Sequence, residues 1–197
     1  MTIPNPPVLS EPELIALIEQ SDLLVFVIRS HQAVDTALSG LLELTLPEPH
    51  RLEVARLSLL LKADILVAMG ALPDELRRSI AALNQVRNRY AHQDRASLLP
   101  SDGDLLVGCL DPEIVSRYDD LKPANPENCL RHVVFILYLR LRSLIAATRR
   151  NRATSHALSE MVHERVGPHL PAAKSPTLDA IDAEIDRRTR HLLGDDS

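Results

Sequence analysis

Residues 57–92 read LSLLLKADILVAMGALPDELRRSIAALNQVRNRYAH, and the periodicity of this stretch decides the fold. Apolar residues recur at intervals of three and four, the spacing of one helix face. The pattern predicts a helix from about Arg51 to Met69 with Leu52, Ala55, Leu59, Ala63 and Leu66 inward, stopped by Gly70. Pro73, Asp74 and Glu75 then open another helix, in which Leu76, Ile80, Leu83, Val86 and Tyr90 keep the apolar register.

The same period extends outward in both directions. Ser10, Glu11, Pro12 and Glu13 form a helix start. From about Asp22 to Leu44, residues Leu24, Ile28, Val34, Ala37, Leu38, Leu41 and Leu42 continue one broad stripe. Gly40 interrupts it at a cost of about 1 kcal/mol. Residues 97–105 read as a polar loop and 111–121 as a short helix, and a long helix is expected from about Pro126 to Arg152. No internal repeat, no Gly-rich phosphate loop and no alternating apolar and polar run stands in the sequence. The expected class is all-α: a bundle of four to five main helices plus a C-terminal amphipathic helix.

Composition agrees. The 197 residues are 45% hydrophobic and 25% charged, as in a globular chain, but only 3% aromatic, so the core is filled with aliphatic side chains. A net charge of −5 argues against coating nucleic acid by bulk electrostatics, though not against a local basic cleft. Cys109 and Cys129 have no CxxC spacing, and the proline-rich, acidic opening MTIPNPPVLSEPE is unlike a secretory signal. The expectation is a cytoplasmic protein with two unpaired thiols. The runs 23–28 and 133–139 are too short to span a membrane.

The expected organisation is a loose, proline-rich arm over 1–9, a helical domain over 10–166 and a proline-rich linker over 167–177. A C-terminal helix and tail, 178–197, completes it. The helix of 178–193 carries Leu178, Ile181, Ile185 and Leu192 on one face, with acids early and arginines late, as suits its dipole.

Chemistry concentrates at RNRYAH, residues 87–92. Arg87 and His92 are five apart, about 140° around a regular helix, whereas Asn88 and His92 share a face. Both Arg87 and His92 reach one cleft only if the helix loosens or a second copy supplies a partner. Five arginines against one acid, Asp94, lie between Arg77 and Arg95; six arginines and no acid lie between Arg131 and Arg152. Two such stretches on adjoining helices suit a phosphate backbone.

RNRYAH resembles the R-x4-6-H motif of HEPN domains, with the polar residue that often follows the Arg. The stretch 57–92 is similar to the mannitol operon repressor (MltR-like) branch, where two helices and a Gly-centred turn lead into an RN-x-x-AH ending. The resemblance implies a helical bundle over roughly 20–150 that dimerises with the motif near the two-fold axis. In active members, often toxins or defence factors, the paired motifs form a metal-independent ribonuclease. Carried over, Arg87 binds the scissile phosphate, His92 is the general acid or base, and Asn88 orients the pair. Arg89, Arg95, Arg140 and Arg142 are the candidate RNA-binding residues. The implied partners are a second copy, an RNA substrate, and a cognate antitoxin or regulatory protein; no cofactor, metal or membrane is called for.

Plainer readings stand beside these. Cationic side chains at a helix C-terminus stabilise unpaired carbonyls, and the arginines of 140–152 also suit a solvated face. The histidines lack metal-ligand spacing, and Asp102, Asp104 and Glu113 read as an acidic turn. A non-catalytic MltR-like module acting through protein contacts is the alternative function.

Overall fold

The Ser10 signal works as a capping box. The Glu13 carboxylate accepts from the backbone N and from Oγ of Ser10, each at 2.7 Å. These bonds, the hydroxyl's first, hold the Glu13 carboxyl below its ordinary pKa. They open α1 (Glu11–Ile18). The computed structural model describes residues 3–92, 98–166 and 178–194, and their side chains except at 91–92, 164–166 and 178–179. Among these residues every regular element is helical, and eight are α-helices.

Asp22 caps α2 (Leu23–Thr45) by accepting from the Val25 backbone N at 3.1 Å. Its core face is Phe26, Val27, Val34, Ala37, Leu38 and Leu41, all fully buried. Leu24 and Ile28, expected in that stripe, are 40% and 43% exposed. The helix is covered on less of its surface near its start than further along.

The helix expected from Arg51 begins only at Leu59. Pro49–Arg51 and Val54–Arg56 are separate 3-10 turns, each ended by an extended residue, Leu52 or Leu57, that breaks the helical ladder. Ala55 is exposed rather than inward. Ser58 then caps α3 (Leu59–Ala68) by accepting from the Leu61 N at 3.3 Å. Gly70, at φ +69°, closes it as expected. Asp64 Oδ1 accepts from Arg77 Nε at 2.9 Å and ties α3 to α4 (Asp74–His92). Inside this group Lys62 is fully buried, its Nζ 2.7 Å from Asp35 Oδ1 of α2.

Residues expected as a polar loop form α5 (Pro100–Val107). Pro100 opens it, and Asp102 folds back to accept from the Leu99 N at 2.8 Å, so a sequence that reads as polar turn residues is a helix start. Gly103 permits close packing: a Cβ there would stand 2.1 Å from the carbonyl O of Pro123. After α6 (Pro112–Arg117), α7 (Pro126–Val166) runs for 41 residues, well past Arg152. The extension keeps its register, because Ala153, Ala157 and Met161 are buried at four-residue intervals. The last helix, α8 (Leu178–Leu193), has the expected bounds.

The chain divides into two units, residues 6–144 and residues 145–197 with the first five. In the larger one, Arg131 of α7 pins the turn between α1 and α2. It donates to the carbonyl O of Ile18 and, at 2.8 Å, to that of Gln20, pairs with Glu127 and lies 4.7 Å from the Phe26 ring centre. The segment before α1, expected as loose, is engaged. Pro6 is buried, and the Leu9 N donates to the Tyr138 hydroxyl oxygen at 2.6 Å. Pro6 also explains Gly40, where a Cβ would stand 2.3 Å from the proline's own. In the smaller unit the Ile3 N donates to the Leu192 carbonyl at 3.4 Å, and Arg149 Nη2 to that of Leu193 at 2.7 Å. Glu184 accepts from Arg187 and Arg188, which pushes its carboxyl down to about 2.

Candidate functional site

The last turns of α4 carry RNRYAH, and the helix period sorts its side chains. Val86 and Tyr90, four apart, are buried. Burial first, then the charges of Glu127, Asp102 and Asp22, push the Tyr90 phenol up to about 12, so it stays protonated as a packing group. Asn88 falls on the opposite side and Arg87 on the flank between; both are exposed, with Arg87 Nη1 donating to Asn88 Oδ1 at 3.2 Å. The backbone of α4 extends through His92, whose side chain lies outside the described residues.

Arg89 faces a different environment. Its Nη1 is 2.6 Å from Oδ1 of Asp102, whose side chain is 2% exposed. Asp102 Oδ2 is engaged by the Leu99 N. The guanidinium thus offsets a buried carboxylate and fastens the motif's helix to α5. Spacing in "RNRYAH" gives no hint of this partner, thirteen residues further on. The hint lay in Asp102 itself, three residues after Leu99 in a proline-led start.

Helix α2 touches α4 one turn before the motif, where His31 Nε2 and Asn84 Oδ1 lie 3.3 Å apart. Leu24 and Ile28, seven and three residues before His31 on α2, are 40% and 43% exposed. Nothing in the spacing of α2 separated these two positions from its core stripe.

The remaining candidate arginines do not gather here. Arg140 Nη2 pairs with Glu75 Oε1 at 2.6 Å, and Glu75 is about 18 Å along α4 from Arg87. Arg142 is half-buried, and its charge acts on the Tyr138 phenol. Arg95 lies outside the described residues. Arg131 and Arg149 of the same basic stretch are engaged within the fold.

A separate cavity of about 330 Å³ opens between the first turns of α4, the turn after α5 with the start of α6, and the first third of α7. Leu76, Cys109, Leu110, Ile136, Leu137, Arg78 and Arg140 are among its lining residues. Burial pushes the Cys109 thiol up, against smaller opposite effects of Ser79 and Arg78. Both cysteines are unbonded. Among the described residues no group of three or more His, Cys, Asp or Glu is placed to hold a metal ion. Among the same residues no helix is long and apolar enough to cross a membrane. Comparison with family models, curated proteins and solved structures gave no match to this chain.

Proposed function

We propose that the chain is a metal-independent endoribonuclease of HEPN type, with Arg87, Asn88 and His92 of two copies forming one site. The observation that carries this reading is the presentation of Arg87 and Asn88, side by side and open to solvent, on a turn anchored from beneath. Val86 and Tyr90 hold it to the core and Arg89 holds it to Asp102. A cleavage site needs this combination of exposed donors and a rigid base.

In the reaction the 2′-oxygen attacks phosphorus and the 5′-oxygen leaves. One His92 takes the 2′ proton, and the partner's His92 gives a proton to the leaving oxygen. The Arg87 guanidinium faces the charge that develops on the non-bridging oxygens, and Asn88 restrains it. Leu24 and Ile28, exposed on α2, supply the apolar surface through which two copies meet.

A second reading, a non-catalytic MltR-like interaction module, draws on Arg89 and Arg140. Both are held in ion pairs, which leaves fewer cations for RNA. One experiment separates the two. Mixed tRNA and single-stranded RNA are incubated with the protein in EDTA. The nuclease reading expects cleavage that falls by about 10²–10⁴-fold in His92→Ala. A folded, dimeric protein that leaves RNA intact supports the interaction module.

A further inference from the structure

The cavity on α4 lies well away from RNRYAH, and its chemistry is of another kind. Its volume of about 330 Å³ is at the lower end of small-molecule sites. Leu76, Leu110, Val133 and Leu137 form its inner wall and are 8% exposed or less, with Ile136 and Ile114 nearer the mouth.

The polar groups inside are already engaged. Ser79 Oγ donates to the Glu75 carbonyl at 3.2 Å, and Cys109 Sγ to that of Leu105 at 3.4 Å. At the rim Glu75 holds Arg140, and Asp111 Oδ1 accepts from the Glu113 N at 2.8 Å as the cap of α6. One oxygen of each rim carboxylate is thus engaged. Arg78 is exposed and forms no ion pair among the described residues, and its charge is felt at the Cys109 thiol on the cavity floor. An occupant meets an aliphatic inner wall, with Arg78 at the mouth beside the Glu75–Arg140 pair.

We propose that this cavity binds a small amphiphilic carboxylate, its apolar body against Leu76, Ile136 and Leu137 and its carboxylate on Arg78. A single planar guanidinium matches a carboxylate through two parallel hydrogen bonds. The Glu75 charge is balanced by Arg140, and a cationic head would meet the like charge of Arg78. The site does not depend on the nuclease reading, since it uses no residue of the motif.

Octanoate is the probe, titrated into the full-length protein while the methyl resonances of leucine and isoleucine are followed. Saturable shifts are expected at Leu76, Ile136 and Leu137, with octylammonium at least about tenfold weaker, the worth of one charge-assisted hydrogen bond. Arg78→Leu, an exposed position, is expected to raise the octanoate midpoint by about tenfold and to erase the preference over octylammonium. Octanoate that produces no saturable shift overturns the proposal. So does equal binding of the two probes by the native protein, or a response centred on Leu24 and Ile28 instead of the cavity.

Discussion

Lys62 shows how a single side chain is fixed by what it would otherwise cost. It sits on α3 between Leu61 and Ala63, fully buried, and Asp35 on α2 meets its ammonium at 2.7 Å. Removing one partner of such a pair strands a charge, while replacing the lysine with an apolar residue of similar length removes the need for the pair. Asp35→Ala is expected to destabilise the fold by about 3 kcal/mol, and Lys62→Met by less than about 1 kcal/mol, in urea unfolding. Equal losses in the two variants contradict this asymmetry. At this scale the sequence was partly legible. The inward positions of α4, from Leu76 to Tyr90, follow from period alone. The partners of Lys62 and Arg89, and the carbonyls that Arg131 meets at Ile18 and Gln20, do not, because each lies on another helix or turn and no local pattern encodes it.

Helices were legible where their ends carry chemistry and obscure where the ends depend on neighbours. Asp22, Gly70 and the dipole-matched charges of α8 marked boundaries that the structure has. The turns over 49–56 were hidden inside an apolar period that continues through them, although Ser58 was the true cap. Helix α5 looked like a loop because its stabilising contacts are distant: Arg89 on α4, and the backbone of Pro123 against Gly103. That approach leaves no room for a methyl group. Gly103→Ala is expected to destabilise the protein by about 2 kcal/mol or more despite the better helix propensity of alanine. A thermal melt at or above the native midpoint contradicts the close packing. Because α5 holds Asp102, the same variant also loosens the support of Arg89.

Across the whole molecule the fold class followed from composition and period, and the division of the chain did not. A boundary was expected in the proline-rich linker of 167–177, outside the described residues, yet the larger unit ends at Leu144, within the continuous α7. The candidate site was legible as a motif, with Arg87 and Asn88 exposed and Tyr90 inward. The exposure of Leu24 and Ile28 on α2 was not, since both read as core. If two copies meet there, Ile28→Glu places a like-charged pair in the seam. The variant is expected to sediment as a monomer with native helix content and to lose cleavage. A dimer of unchanged stability contradicts that placement. The most direct measurement mixes equal amounts of native and His92→Ala subunits, lets them re-pair, and follows RNA cleavage in EDTA. If one site needs His92 from both copies, only native dimers cleave, about a quarter of all dimers, and activity falls to about a quarter of that of the unmixed native protein. Activity that falls only to half, as for copies that act independently, contradicts the shared site; an inactive native protein contradicts the nuclease itself.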